Sequence, residues 1–276
     1  MNTDHTKIKL HGFNNLTKTL SVNFYNICYV HTPADQQDYL CHIDEAYSTK
    51  RLQQVLCEVV DIIGADILNM SAYDYEPRGS SVACLIAEEP VLPAAVTAGL
   101  HVGKQGKAVQ QSTVAHLDKS HVTAHTYPES HPDDGISTIR VDMDISTCGE
   151  VSPLDALDYL IESFNEDVVI LDYRIRGFTR DTLGQKHYTD HGIASIQDFL
   201  SEETKHQYRM ADMNVLQTNT FHTRMKRLDF RLGDHWFGGC AHKFQKDELA
   251  ALERRLKKEM DEIYLGTGAP SRNQAQ

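Results

Sequence analysis

The stretch from His116 to Glu129 contains the residues of this chain that are best suited to chemistry. Ser120 is the only serine in that stretch, and His125 follows it by five residues. A serine hydroxyl becomes a useful nucleophile when a general base such as an imidazole lies beside it. Because serine and histidine occur in almost every protein, the pair alone is compatible both with a catalytic site and with an ordinary strand.

The histidines and cysteines give no sign of a metal site or of a disulfide framework. His116, His121, His125 and His131 lack metal-ligand spacing, and no two cysteines form a C-x-x-C pair. Cys148 is the one of the six cysteines to which a chemical role is assigned. The other five are interpreted as small, buried apolar residues.

Length and charge narrow the class of protein. A chain of 276 residues can form one large domain or two small ones and can bury a sizeable core. The net charge of −12 argues against the basic surface of a nucleic-acid-binding protein and mildly suits a cationic small molecule. The first residues lack the apolar core of a signal peptide, and no stretch is long enough to span a membrane. We therefore expect a cytoplasmic protein without a membrane or nucleic-acid partner.

Local patterns predict the elements of the first third of the chain. Alternating β-branched and aromatic residues predict a strand from Leu20 to Val30. Thr32, Pro33 and Asp35 have the types expected at a helix N-terminus. This helix is predicted to break near 48–49, and the continuation to end at Gly64. Its inward residues are predicted to be Leu52, Val55, Leu56, Val59 and Ile63.

The remaining elements follow from the same kinds of pattern. Further strands are predicted at 65–75, 81–88, 121–127, 137–147 and 168–178. Helices are predicted from Ser152 onward, at 193–200 and at 247–264, the last with Leu249, Leu252, Leu256 and Ile263 on one stripe. The segments 90–112 and 128–135 are predicted to be a surface loop and a turn-rich connector. Strands outnumber helices in the first two-thirds, which indicates antiparallel sheet with helices on an outer face.

Five motifs carry a resemblance to a known family. Three lie in the middle of the chain, at Leu117–His121, His125–Glu129 and Ser146–Gly149. In these the sequence resembles the bacterial S-adenosylmethionine decarboxylase proenzymes. Lys9–Thr17 and Asp172–Asp181 are similar to the longer, enterobacterial-type branch of that family. The resemblance covers most of residues 8–265.

The resemblance implies a fold and a processing event. The expected fold is α+β, a layered α/β/β/α sandwich with antiparallel sheets and with helices on the outer faces. Residues 1–276 are expected to form a single domain that cleaves itself between Lys119 and Ser120. The products would be a β chain of residues 1–119 and an α chain of residues 120–276, which stay together and assemble into a homo-oligomer.

The resemblance also implies the chemistry. Ser120 would attack the carbonyl of Lys119 to form an ester, and β-elimination followed by hydrolysis would leave a covalent pyruvoyl group at position 120. That group would form a Schiff base with S-adenosylmethionine and act as the electron sink for decarboxylation, as pyridoxal phosphate does elsewhere. The product would be the aminopropyl donor of spermidine synthesis.

Family motifs assign roles to further residues. His125 matches the base that removes the α-proton of the ester during processing, and Cys148 matches the proton donor in decarboxylation. Ser81 aligns with a serine that assists processing. Glu129, Tyr75 and Tyr127 fall where related enzymes place groups for the ribose and adenine of the substrate, and aromatic rings suit an adenine beside a sulfonium.

Two alternative functions and the need for a magnesium ion remain open. The same pyruvoyl chemistry could act on a basic amino acid such as arginine or ornithine, and a non-catalytic paralogue could regulate a partner enzyme. Magnesium stimulates some relatives of the longer branch, but the sequence shows no carboxylate constellation that would hold it, so no metal ligand is assigned.

The spacing of Ser120 and His125 predicts that they do not meet within one chain. In a regular strand five steps separate the two α-carbons by about 16 Å, and an odd spacing sends the side chains to opposite faces. A two-fold dimer could present His125 and Ser81 of one subunit to Ser120 of the other. A sharp bulge after Ser120 is the competing explanation.

Overall fold

A nine-stranded sheet organises the chain in this computed structural model. The structure describes residues 7–12, 14–88, 120–130, 135–237 and 244–267. Eight strands lie side by side, and all neighbours are antiparallel. Their order across the sheet is β2 (Asp66–Asp74), β3 (Ser80–Ala87), β4 (His121–Ser130), β5 (Ile136–Cys148), β1 (Leu16–Val30), β6 (Val168–Gly177), β10 (Thr220–Arg227) and β9 (Tyr208–Asp212). The ninth strand, β11, pairs in parallel with the end of β1, and β7 with β8 forms a separate two-stranded ribbon.

The strands are β1 (Leu16–Val30), β2 (Asp66–Asp74), β3 (Ser80–Ala87), β4 (His121–Ser130), β5 (Ile136–Cys148), β6 (Val168–Gly177), β7 (Thr179–Arg180), β8 (Lys186–His187), β9 (Tyr208–Asp212), β10 (Thr220–Arg227) and β11 (Trp236–Phe237). The α-helices are α1 (Pro33–Ala46), α2 (Thr49–Ile62), α3 (Leu157–Phe164), α4 (Glu202–Gln207) and α5 (Lys246–Leu265). Short 3-10 turns include Pro153–Ala156, just before α3, and Ile196–Phe199.

The central strand β1 divides the molecule into two faces. Leu20, Val22 and Phe24 point to the face that α1, α2 and α3 cover, and all three are fully buried. Ile27 points to the opposite face, where it packs with the buried side of α5. Because β-strand side chains alternate between faces, the one strand contributes to both cores.

The first two helices begin and end as the sequence predicts. Thr32 caps α1 in a capping box with Asp35, and Pro33 occupies the first turn. The break near 48–49 is confirmed, since the Ser48 side chain caps α2. Gly64 follows α2 with a φ of 73°, a left-handed conformation that favours glycine. The predicted inward residues of α2 are all buried against the sheet.

The C-terminal helix α5 lies on the other face and covers only part of it. Leu252, Leu256, Met260 and Tyr264 are its buried residues. The predicted stripe is therefore right for Leu252 and Leu256, whereas Leu249 and Ile263 are only partly buried at its margins. Beyond the reach of α5 this face of the sheet carries the polar, half-buried side chains of β1, β4 and β5.

The expected α+β class, with antiparallel sheet and packed helices, is confirmed. The described part of one chain contains a single large sheet, so the second β layer of the α/β/β/α arrangement is not found within those residues.

Several predicted boundaries were wrong. Pro128 and its two successors belong to β4 rather than to a connector. The β3–β4 ladder ends at the pair Ser81–His125, so Pro128 lies beyond the part of β4 that pairs with β3. Proline has no N–H to donate, and at this position β3 offers no carbonyl group that would need one. β1 begins at Leu16, four residues before the predicted start, and only a 3-10 turn forms within 193–200. The predicted loop at 90–112 lies outside the described residues.

Candidate active site

Ser120 lies immediately before β4, with its hydroxyl buried against a carboxylate. Its carbonyl oxygen accepts a hydrogen bond from the Ile86 N–H at 2.9 Å, which ties the start of β4 to the end of β3. The Ser120 hydroxyl donates to Oε1 of Glu88, the residue that follows β3. Ser120 is only 8% exposed. Its hydroxyl oxygen therefore has a fixed hydrogen-bond partner.

Cys148 is the last residue of β5 and lies at the same end of the sheet. Its backbone N–H donates to the same Oε1 of Glu88. Its thiol is exposed and lies 3.9 Å from Oγ1 of Thr17, the cross-strand neighbour on β1. The structure thus brings Ser120 and Cys148 together through Glu88.

The approach of Glu88 depends on the turn after β5. Gly149 has a φ of 69°, and a Cβ built at this position would lie 3.0 Å from Oε2 of Glu88. A side chain at 149 would therefore be strained in its backbone and crowded against the carboxylate. Sequence reasoning missed Glu88, because its role follows from the pairing of β3, β4 and β5 and not from a local motif.

His125 lies elsewhere on the sheet, among different partners. It is the cross-strand neighbour of Ser81 on β3 and of Asp142 on β5. The Tyr75 hydroxyl lies 3.3 Å from His125 Nδ1. The structure therefore groups three predicted site residues, Ser81, His125 and Tyr75, but not with Ser120.

The strand between Ser120 and His125 is regular. β4 pairs residue by residue with β5 from His121 to Ser130, and with β3 from His121 to His125, without a shift of register. At roughly 3.3 Å per residue, the five steps from Ser120 to His125 amount to about 16 Å. The bulge that could have shortened this distance is not found in β4, so His125 does not reach Ser120 of its own chain.

Tyr127 and Glu129 continue β4 away from Ser120. Both line a cleft of about 350 Å³ between the sheet and α5, together with Arg140 and Glu259. The guanidinium of Arg140 lies 4.4 Å from the centre of the Tyr127 ring, which leaves the 42% exposed ring engaged on one face. The three residues predicted to bind substrate thus lie at the His125 end of β4.

The remaining described cysteines divide into two kinds. Cys28 and Cys84 are buried, and burial raises the pKa of the Cys28 thiol to about 12 and that of Cys84 to about 11, so both stay neutral and structural. The prediction of buried apolar cysteines was wrong for Cys41 and Cys57, which are exposed on α1 and α2. Cys240 lies outside the described residues, as do Lys119 and His131.

Within the described ranges, no group of three or more histidine, cysteine, aspartate or glutamate side chains is placed to bind a metal ion. In the same part of the chain, no helix is both long and apolar enough to cross a membrane.

Comparison with known proteins places the chain in a class of carboxy-lyase proenzymes. The family model for S-adenosylmethionine decarboxylase matches residues 37–177, about half of the chain. The chain belongs to the S-adenosylmethionine decarboxylase family.

Curated relatives extend the similarity over nearly the full length. The S-adenosylmethionine decarboxylase proenzyme of Hahella chejuensis is 54% identical over 264 residues, which cover 96% of this chain and 98% of the relative. The protein of that name from Pseudomonas aeruginosa is 52% identical over 265 residues, covering 96% of this chain and 99% of the relative.

Solved structures show only a distant likeness. The adenosylmethionine decarboxylase of Aquifex aeolicus is 16% identical with a TM-score of 0.32, covering 59% of this chain and 90% of that one. The monomeric enzyme of Trypanosoma brucei is 13% identical with a TM-score of 0.33, covering 78% and 66%.

Proposed function

We propose that this chain is a proenzyme that cleaves itself to form a pyruvoyl-dependent S-adenosylmethionine decarboxylase. The product would be decarboxylated S-adenosylmethionine, the aminopropyl donor of spermidine synthesis. The observation that carries the proposal is the convergence of Ser120 and Cys148 on Glu88, in a chain that is 52% identical to proenzymes of that name over nearly its full length.

The order of the strands supports cleavage between Lys119 and Ser120 without loss of the fold. β1, β2 and β3 would belong to the β chain of residues 1–119, and β4, β5 and β6 to the α chain of residues 120–276. β4 pairs with β3, and β1 lies between β5 and β6, so strands of the two products alternate within one sheet. The products can separate only by breaking these ladders, and we expect a non-covalent complex.

Residues around Ser120 suit a pyruvoyl group, which would supply a ketone able to accept electrons when carbon dioxide leaves. The Ser120 hydroxyl is held by Glu88, so the residue whose carbon atoms would become the pyruvoyl group is fixed in position before processing. The thiol of Cys148 is exposed at the same end of the sheet and is positioned to deliver a proton to the decarboxylated carbon. Glu88 binds the Cys148 backbone and thereby orients that residue.

His125 would act on Ser120 of a second copy of the chain. It remains the proposed base for the α-proton, and proton transfer needs contact near 3 Å, which the roughly 16 Å within one chain does not allow. A symmetric dimer exchanges equivalent patches, so Ser81 and His125 of one subunit can meet Ser120 of the other. Tyr75, Tyr127 and Glu129 lie on the same side and would bind the adenine and ribose in that shared site.

Intact mass and carbon dioxide release test the function. We expect two pieces, 1–119 and 120–276, with the larger piece resistant to Edman sequencing because its first residue lacks an amine. Labelled carbon dioxide should be released from S-adenosylmethionine and not from arginine or ornithine. Parallel assays with Mg²⁺ and with a chelator test whether the activity depends on the ion. A single full-length species in an active preparation would contradict the mechanism, and release from arginine alone would contradict the substrate.

Co-expression tests the shared site. Chains with Ser120→Ala and chains with His125→Ala are each expected to remain uncleaved alone. In mixed dimers the Ser120→Ala chain donates its intact His125, so the His125→Ala chain should be cut. If neither chain is cut although mixed dimers are demonstrated by differential tags, the base acts within its own chain.

A further inference from the structure

Among the described residues, the Glu88 carboxylate contacts the hydroxyl oxygen of Ser120. Its Oε1 accepts hydrogen bonds from the Ser120 hydroxyl and from the Cys148 N–H. Its Oε2 lies over Gly149, where a Cβ would approach to 3.0 Å. The carboxylate is therefore held by backbone as well as by the serine, on the turn that ends β5.

The first step of processing needs a proton acceptor that the roles above do not supply. Ser120 can attack the preceding carbonyl only as its hydroxyl proton is removed. The imidazole of His125 lies about 16 Å along the strand and is already assigned to the later removal of the α-proton. Ser81 lies across the ladder from His125 and is equally remote.

We propose that Glu88 is the proton acceptor for the Ser120 hydroxyl in the conversion of the Lys119–Ser120 peptide bond to an ester. The inference rests on the proposed self-cleavage and adds a catalytic residue to it. Its direct support is the Ser120 Oγ–H hydrogen bond to Oε1, the geometry required of a general base.

The step balances with this one group. As the bond between Ser120 Oγ and the Lys119 carbonyl carbon forms, the hydroxyl proton passes to Glu88. When the carbon–nitrogen bond of the peptide breaks, Glu88 returns the proton to the Ser120 nitrogen, which leaves as an amine. The hydroxyl and the nitrogen belong to the same residue, so one carboxylate can serve both. No other reactant is consumed, and Glu88 ends as a carboxylate.

The two proton acceptors then act in sequence at one serine. Glu88 drives ester formation, and His125 of the second subunit removes the α-proton of that ester. The Cys148 N–H continues to hold Glu88 after Oγ has left with the Lys119 carboxylate. A variant that lacks His125 should therefore stop at the ester, whereas one that lacks Glu88 should stop before it.

Glu88→Gln tests the proposal, because the amide keeps the shape and a hydrogen-bond acceptor but cannot take the proton. Uncleaved protein is collected early after induction, and the rate of cleavage is followed by intact mass. We expect Glu88→Gln to cleave about 10²–10⁴-fold more slowly than wild type. Glu150→Gln is the matched control, since Glu150 is an exposed carboxylate two residues from Cys148 and should cleave at the wild-type rate.

Hydroxylamine separates ester formation from the later step, because it cleaves esters and not ordinary peptide bonds. In a His125→Ala background the ester should accumulate and hydroxylamine should cut the chain at Ser120. Adding Glu88→Gln should lower this cutting by the same factor as it lowers self-cleavage. Equal cutting with and without Glu88→Gln would overturn the inference and leave the proposed function standing.

Chemical rescue distinguishes a loss of the proton acceptor from a structural effect of the substitution. Glu88→Ala should regain cleavage in formate, which can enter the vacated space as a carboxylate, and Glu88→Asp should cleave at a rate between glutamate and glutamine. Slow variants that formate does not rescue would assign Glu88 to folding and overturn the inference. A wild-type chain that neither self-cleaves nor reacts with hydroxylamine would instead remove the proposed function.

Discussion

Glu166 is a buried carboxyl group whose ionisation should be measurable as a change in stability. It lies between α3 and β6 and is 2% exposed. Tyr47 donates a hydrogen bond to its Oε1. Burial, with the nearby charge of Asp167, raises the pKa of Glu166 to about 8. Hydrogen bonds from Tyr47 and Asn26 and the charge of Arg227 offset this rise only in part. At neutral pH a carboxyl group with this pKa is mostly protonated in the native protein.

The sign of the effect follows from the two states. In the unfolded chain a glutamate has a pKa of about 4.3. Between about pH 4.3 and pH 8 the native state binds a proton that the unfolded state lacks, so the free energy of unfolding falls as pH rises through this window. Below the window both states are protonated, and above it both are ionised. At about 1.4 kcal/mol for each pKa unit, the ionisation of Glu166 should lower the free energy of unfolding by roughly 3–5 kcal/mol across this pH window.

Glu166→Gln isolates this contribution. Both proteins should carry Ser120→Ala, so that one covalent chain unfolds, and urea transitions should be measured from pH 5 to pH 9 at one protein concentration. We expect the stability of Glu166→Gln relative to its parent to rise with pH and to level off above about pH 8. Glu162→Gln, an exposed neighbour on α3, should show no such trend. A difference that is constant across the range would refute the reasoning.

Three further predictions concern single side chains. Cys148→Ala should still cleave at the wild-type rate but lose at least about 10²-fold in decarboxylation, because its proton is needed only after processing; uncleaved Cys148→Ala would reassign it to processing. Asp190→Asn leaves the 1% exposed Lys18 ammonium without the anion now 2.7 Å away, so stability should fall by about 3–5 kcal/mol and the melting temperature by roughly 10 °C. A change under about 2 °C in calorimetry would contradict this estimate. Tyr127→Ala should raise KM roughly tenfold with little change in kcat; an unchanged KM would remove Tyr127 from the substrate site.

The parts of the fold that follow from local signals could be predicted from the sequence. The capping box of Thr32 and Asp35 and the left-handed stop at Gly64 depend on neighbours within a few residues. The alternation of apolar and polar residues in β1 and the helical spacing of apolar residues in α2 likewise indicate which side of each element faces a core. These signals are short-range, and the helix and strand boundaries that they set are accurate to a few residues.

The parts of the fold that depend on pairing between distant strands could not be predicted from the sequence. Glu88 contacts Ser120 across 32 residues and Cys148 across 60, and no motif marks a carboxylate that is brought in by two ladders. The same holds for Lys18, which sits on a buried face of β1 where an apolar residue is expected and is matched by Asp190, 172 residues away. Burial would raise the pKa of Asp190, but hydrogen bonds from His191 and Lys18 hold it well below its usual range. Such a pair becomes visible only once the fold is known.

The separation of Ser120 from His125 also constrains how two copies can meet. α5 leaves open the polar face of β1 between Thr17 and Asn23. Thr17 is the cross-strand neighbour of Cys148. Asn23 donates a hydrogen bond to Asp142 at 2.6 Å, and Asp142 is the cross-strand neighbour of His125. At roughly 3.3 Å per residue this open length is about 20 Å, close to the distance between the two ends of the site. A two-fold axis between facing sheets and across the strands would lay each strand over one running the opposite way. It would place the His125 end of one copy over the Ser120 end of the other, at both ends at once. An axis along the strands would place like ends together and complete neither site. The first arrangement would also supply the second β layer of the expected α/β/β/α sandwich. The same two-fold symmetry would therefore account for both the layered sandwich and cleavage in the mixed dimers.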